Sequence, residues 1–369
     1  ISMKIGTVTF WWSEDNYGQL LQCYALLQFL KNEGHEAFLI RYRPCTSFSL
    51  LTWGKRIIIN LISKKRRAAF KKWKKIGEIV EQDIKLHPRH FEQFRRKYVP
   101  STERVYSYSD LKKDAPSADV YICGSDQIWS YPSPVYFLQF GGKSVKRVAY
   151  APSLGGEVPS ARNLQKMKQY LKGFDFVSSR EKSGAKVLNS LGVEASVLPD
   201  PTLLLSSDTY AGISAPFDEK EPYLLLYLLG NEISVDVSAI YDFAKEKNLK
   251  VRYVASQGRI DSFPKEYPSI PEWLSLVRQA KYVVTNSFHG TVFCLLFNVP
   301  FLVLPAVKGF CRMNNRIYDL LDKYELRDRI YQGSLETITQ EIDFSKFNEV
   351  RANEENRVRT LFKKILVKK

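Results

Sequence analysis

The chain has 369 residues, 44% of them hydrophobic, and a net charge of +16. That length fits two ordinary domains better than one. No run of 18 apolar residues occurs and the first residues enter a strand pattern without an apolar leader, so a soluble, cytoplasmic protein is expected and a membrane-spanning one is not.

Residues 4–10 (KIGTVTF) read as a strand, 17–33 as a helix with Leu20, Tyr24, Leu27 and Leu30 on one face, and 37–41 as a second strand. Residues 55–75 then hold ten Lys or Arg and no acid, interleaved with Ile57, Ile58, Ile59, Leu61, Ile62, Phe70 and Trp73. The segment 53–76 therefore suits a basic amphipathic helix lying on an anionic membrane surface. A solvated basic helix with its apolar face in the core gives the same pattern. A nucleic-acid partner is not expected, because no zinc-finger, RNP or helix-turn-helix pattern accompanies the charge.

A charged helix near 88–98, strands at 119–123 and 145–150, a helix at 161–171, a strand at 174–178 and a helix at 180–191 follow. Pro199 and Pro201 in PDPTLLL (199–205) interrupt any regular element and mark the expected hinge. A second alternation comes next: strand 223–229, helix 234–247, strand 251–255, helix 271–279, strand 281–284 and an apolar helix over 291–297. The stretch 348–367 is charged and predicted helical.

Alternation in both halves predicts an α/β fold of two Rossmann-like parallel-sheet domains, with ligands at the carboxyl ends of strands. Polar turns fall at such ends: 13–19 (SEDNYGQ), 124–127 (GSDQ), 150–153 (YAPS) and 285–290 (TNSFHG). Arg180 opens a predicted helix at a fifth. Facing domains bring these turns to one cleft. In the last turn Asn286 or Ser287 caps the apolar helix, and the free N–H groups from about His289 to Thr291 suit a phosphate or carboxylate. An ordinary connection with a capping Ser and a hydrogen-bonded His has the same sequence. Neither HExxH nor CxxC spacing occurs among the four histidines and five cysteines, so no protein-built transition-metal site is expected.

Several segments together resemble the polysaccharide pyruvyl transferase family: NYGQLLQCYALLQFLKNEGHEAFLI, VYICGSDQIWS, RVAYAPSLGG, VSSREKSGAKVLNSLGV with LPDPTLLL, and NSFHGTVFCLLFNVPFLVL with NNRIYDLL. The resemblance covers most of residues 3–330. It implies a two-domain fold like the GT-B glycosyltransferases, with residues 3–199 on the acceptor side, 200–345 on the donor side, and a C-terminal helix at 346–369 returning to the first domain. The implied reaction moves pyruvate from phosphoenolpyruvate onto a hexose of a lipid-linked polysaccharide precursor as a ketal, releasing phosphate. No cofactor and no metal are implied, and the basic segment would hold the enzyme at the inner face of the membrane. A nucleotide-sugar glycosyltransferase and a non-catalytic membrane-surface protein are the competing readings.

The family's Arg-Leu-His triplet is matched here by Ser287, Phe288 and His289, so the histidine carries over and the arginine does not. Arg312 or Arg316 is expected to supply the missing charge. Ser287, His289 and Gly290 at the helix start, with Arg180 as a two-pronged carboxylate grip, are then the donor-binding set. His289 is the general acid or the phosphate partner, since an imidazole with a pKa near 6.5 exchanges protons near neutrality. Asp126 either accepts the proton of the acceptor hydroxyl or caps the next element. Asp15, Asn16, Tyr17 and Gly18, together with Ser125, Asp126 and Gln127, are the candidate acceptor contacts.

Overall fold

The computed structural model describes residues 2–44, 64–155, 158–307 and 314–367. Arg312 and the first part of the basic segment, 53–63, lie outside them. The first sheet contains β1 (Lys4–Val8), β2 (Glu36–Leu39), β3 (Val120–Cys123), β4 (Lys146–Ala149), β5 (Phe176–Ser179) and β6 (Ala195–Val197). Its order is β2-β1-β3-β4-β5-β6, parallel throughout. The second contains β7 (Tyr223–Leu228), β8 (Lys250–Ala255), β9 (Tyr282–Thr285) and β10 (Phe301–Val303) in the order β10-β9-β7-β8, again parallel. All six residues of β7 are buried, as a central parallel strand covered on both faces requires.

In chain order the helices are α1 (Tyr17–Asn32), α2 (Lys64–Leu86), α3 (Phe91–Tyr98), α4 (Tyr108–Lys113), α5 (Ala161–Leu171) and α6 (Lys182–Ser190). They continue as α7 (Ser207–Ala211), α8 (Val237–Glu246), α9 (Ile270–Gln279), α10 (Phe288–Leu296), α11 (Asn314–Lys323) and α12 (Ser345–Ile365). α1 and α10 are buried nearly all round because each packs on its own sheet and on the opposite domain. Their starts touch: a Cβ on Gly18 would lie 2.1 Å from His289 Nδ1, so only glycine admits the imidazole there.

The domain contact is extensive. Tyr17 stacks on Trp273 with ring centroids 4.9 Å apart, and its hydroxyl donates to the Pro268 carbonyl at 2.7 Å. Asp15 accepts from the Gln257 amide at 2.7 Å, and Arg89 donates to the Ala255 carbonyl at 2.6 Å. α2 lies against the second domain, where Asp83 accepts from the Gly258 amide at 3.3 Å. α12 crosses back to the first domain: Phe362 packs on Phe29 and Tyr150, and Arg359 Nε meets Glu33 at 2.6 Å.

The 199–205 segment, the expected hinge, is buried and forms a 3-10 turn, Pro201–Leu204, packed beneath α1. Two sequence expectations change here. Arg180 does not open a helix: β5 ends at Ser179, Glu181 occupies the N-cap, and α6 begins at Lys182. Tyr17, expected to meet a sugar, is fully buried in the domain contact.

Candidate active site

The centre of the molecule is a buried charge cluster built by three connections: β5 to α6, β6 to the 3-10 turn, and β9 to α10. Asp200 caps the 3-10 turn, accepting from the Thr202 amide at 3.0 Å and the Thr202 hydroxyl at 2.7 Å through Oδ1. Its other oxygen accepts from Arg180 Nη1 at 2.8 Å and lies 3.4 Å from Ser125 Oγ. His289 Nε2 stands 3.3 Å from that same oxygen, close enough for charge attraction but out of line for a hydrogen bond. Burial alone would raise the Asp200 carboxyl; His289, Arg180 and Thr202 together hold it well below the usual range. Burial likewise opposes the charge on Arg180, and Glu181, Asp200 and Asp126 overcome it.

Arg316, on α11, is held differently. It is 8% exposed and has no ion pair among the described residues. With its amide turned to face the guanidinium, Gln127 accepts from Nη1 at 2.7 Å and Nη2 at 3.2 Å, joining the domains across the cleft. Burial, then the charge of Arg180, pulls Arg316 down to about 10 against the opposing pull of Glu181, Asp126 and Asp200. Both guanidinium groups pack on the Phe288 ring, Arg180 at 4.3 Å and Arg316 at 6.0 Å from its centroid. Among the described residues, Arg180 Nη2, Arg316 Nε and His289 Nε2 are buried without a hydrogen-bond partner. These are three buried polar nitrogens, two of them on guanidinium groups, whose partners the described residues do not supply.

Beside them is a cavity of about 60 Å³ lined by Arg180, Glu181, Asp200, Phe288 and Arg316 among others; His289 stands behind its Asp200 wall. Asp126 is buried with φ 61°, its Oδ1 accepts from the Gln127 amide at 2.8 Å, and its charge acts on both arginines. Ser125 donates to the Ala151 carbonyl at 2.7 Å. Ser287 is the N-cap of α10 and accepts from the Gly290 amide at 3.1 Å, so that amide is spent on the cap. Of the first-turn amides, those of Phe288 and His289 have no intrahelical acceptor. Asn286 instead clamps Leu229, accepting from its amide and donating to its carbonyl, both at 2.8 Å.

The structure therefore gathers Arg180, His289, Ser125, Asp126, Gln127 and Arg316 around one centre and adds Asp200 and Glu181. Those two acids were absent from the sequence reading. The signal for Asp200 was present in Pro-Asp-Pro-Thr, an acid able to bond the amide two residues on, but it reads as turn chemistry. The predicted acceptor turn is committed elsewhere. Asn16 caps α1, Asp15 holds Gln257, Tyr17 holds Pro268, and Gly18 receives the His289 ring. No cluster of three or more His, Cys, Asp or Glu among the described residues is arranged to hold a metal ion.

Solved structures similar to the chain include a UDP-GlcNAc 2-epimerase from Neisseria meningitidis bound to UDP-GlcNAc, at 10% identity and TM-score 0.47, covering 100% of both chains. A UDP co-structure of MnaA from S. aureus shares 13% identity at TM-score 0.49, covering 100% of this chain and 98% of that one. No curated protein sequence matches the chain. The family model for polysaccharide pyruvyl transferase matches residues 16–305, covering every strand of both sheets but β1 and every residue of the buried cluster except Arg316. The chain thus belongs to the polysaccharide pyruvyl transferase family, a family of transferases.

Proposed function

We propose that the chain transfers pyruvate from phosphoenolpyruvate to two hydroxyls of a hexose in a lipid-linked polysaccharide precursor. The observation that carries this reading is the set of three orphaned nitrogens on Arg180, Arg316 and His289. A donor with a carboxylate and a phosphate needs two anion holders, and the guanidinium groups of Arg180 and Arg316, both packed on Phe288, would provide them. Arg316 then stands in for the arginine that Ser287 replaces in the triplet.

In this reading His289 delivers a proton to the methylene carbon, leaving an oxocarbenium-like centre at the carbon bearing phosphate. One sugar hydroxyl attacks that carbon, forming a C–O bond and giving up its proton, for which Asp126 is the nearby base. The second hydroxyl attacks the same carbon, the C–O bond to phosphate breaks, and its proton leaves with the phosphate. Asp200 positions the imidazole through charge. The basic α2 would bring the enzyme to an anionic leaflet at the inner face of the membrane, where such an acceptor is anchored. No helix of the described residues is long and apolar enough to cross a membrane.

The test is phosphate release from phosphoenolpyruvate with a panel of lipid-linked mono- and disaccharides. His289→Gln is expected to lower kcat by about 10²–10⁴-fold with KM for phosphoenolpyruvate little changed. A raised KM at unchanged kcat makes His289 a phosphate holder instead. Turnover of a nucleotide sugar without phosphoenolpyruvate sinks the proposal.

A further inference from the structure

One side-chain amide is buried in the middle of α1, among residues that are otherwise apolar or aromatic. Gln22 is fully buried between Leu20, Leu21, Cys23 and Tyr24. An amide taken out of water costs stability unless both its ends find partners, so leucine would serve packing alone at lower cost. Gln22 finds its partners mainly in the turns after β1 and β3, two strands paired side by side. Its Oε1 accepts from the Ser125 amide at 3.0 Å. Its Nε2 donates to Thr9 Oγ1 at 3.0 Å and faces the carbonyls of Gln19 at 2.9 Å and Phe10 at 3.3 Å. Thr9, also buried, donates its hydroxyl to the Ser125 carbonyl at 3.2 Å. Two side chains bonded to each other thus hold both the N–H and the C=O of Ser125.

We propose that Gln22, with Thr9 as its partner, is a positioning residue for the transfer reaction, fixing the turn that presents Asp126. This rests on the reading above of Asp126 as the base and His289 as the acid.

The spacing along α1 supports it. Gly18 and Gln22 are four residues apart, so they share a face of the helix and lie about 6 Å apart along its axis. Gly18 receives the His289 ring from the second domain, and Gln22 holds Ser125 of the first. The same two residues meet again at Asp200, whose Oδ2 is 3.3 Å from His289 Nε2 and 3.4 Å from Ser125 Oγ. The imidazole and the Asp126 turn are therefore each held twice, by α1 and by Asp200.

The rest of the turn is fixed as well. Ser125 Oγ donates to the Ala151 carbonyl at 2.7 Å, and the Asp126 carbonyl accepts from the Ser153 amide at 2.8 Å. Gln22 is the member of this set that comes from the helix seating His289, so it ties the distance between acid and base to one rigid element. A displacement of about 1 Å between reacting groups costs on the order of 10²-fold in rate.

The test is steady-state phosphate release from phosphoenolpyruvate by the full chain, with the panel of lipid-linked mono- and disaccharides, well below each variant's melting temperature. Gln22→Met keeps the length of the side chain and removes the amide. It is expected to lower kcat about 10–100-fold with KM for phosphoenolpyruvate within about twofold, because Arg180 and Arg316 are untouched. In an Asp126→Asn background the same change should cost less than about threefold more, since a base already lost cannot be misplaced. Thr9→Val should act like Gln22→Met, and Thr9→Ser, which keeps the hydroxyl, should hold kcat within about threefold of the unaltered chain. If Gln22→Met fails to fold, the two Thr9 variants carry the test. Unchanged kcat in Gln22→Met or Thr9→Val, or a full additive loss in the Asp126→Asn background, overturns the proposal and leaves Gln22 a residue of the fold alone. Unchanged kcat in Asp126→Asn removes the reading of Asp126 as the base, and absence of phosphate release by the unaltered chain with every acceptor removes the pyruvyl-transfer reading. Both of those results are seen without any Gln22 variant.

Discussion

The starts of α1 and α10 are built alike and end up with opposite duties. Each follows a parallel strand, each is capped by a side chain that accepts from the amide three residues on (Asn16 from Gln19, Ser287 from Gly290), and each opens a helix buried nearly all round. At α1 the polar groups find protein partners across the domain contact, so the turn is a clasp. At α10 the neighbouring cations and His289 keep buried nitrogens without hydrogen-bond partners, and it is this turn that the proposed function makes the donor site. What separates them is whether the opposite domain satisfies the polar groups, a property of tertiary structure that a capping pattern does not carry.

The largest expected effect comes from removing the cation at the centre of the site. Arg180→Ala leaves Asp200 and Glu181 buried without their partner, and should cost about 3–5 kcal/mol in denaturant unfolding. A loss under about 1 kcal/mol means that the cluster is open to water, and the contrast with the clasp disappears.

Asp200→Asn probes the same cluster through pH. The folded carboxyl lies below its unfolded value of about 3.9, so its contribution to stability is present above about pH 4 and lost as pH falls toward the folded value. Wild type is therefore expected to exceed the variant at pH 7, with the gap narrowing below pH 4 in urea titrations. A pH-independent gap assigns Asp200 a packing role only.

Gly18→Ala tests the point where clasp and site touch. A Cβ there would meet the His289 ring at 2.1 to 2.2 Å and its Cβ at 2.6 Å, closer than Cβ contacts come, so the imidazole or the helix start must shift. Overpacking of this kind costs about 1–3 kcal/mol. Displacement of His289 should lower kcat more than a stability loss of that size explains, checked by assaying well below the melting temperature.

The fold was largely legible because its main signals are periodic. α1, β7 and α10 are long or wholly apolar, and the alternation of strand and helix leaves parallel sheets as the natural solution. β6 and β10 were not legible, since three residues are too few to show a period. In the site, Arg180, His289, Asp126 and Arg316 stood at strand ends or near a known turn and were named. Asp200 and Glu181 were not, because burial of an acid next to an arginine is set by packing between segments. Tyr17 misled for the converse reason: polar neighbours in the sequence suggested exposure, while Trp273, far along the chain, covers it.

Arg316 gives the smallest stability effect and the sharpest separation. Arg180 stabilises because two acids answer its charge, whereas Arg316 has only the Gln127 carbonyl and is weakened by burial and by Arg180. Arg316→Gln removes a buried charge that no ion pair among the described residues answers and on which Glu181, Asp126 and Asp200 act only from further away, so unfolding free energy should change by less than about 1 kcal/mol or rise. The donor loses a charged hydrogen bond worth about 1.5–3 kcal/mol, which predicts a KM for phosphoenolpyruvate raised roughly 10–100-fold. A residue kept for stability would show the reverse, a large unfolding penalty with an unchanged KM. The two variants thus separate Arg180, whose charge two acids answer and whose loss should be felt first in stability, from Arg316, whose loss should be felt first in KM.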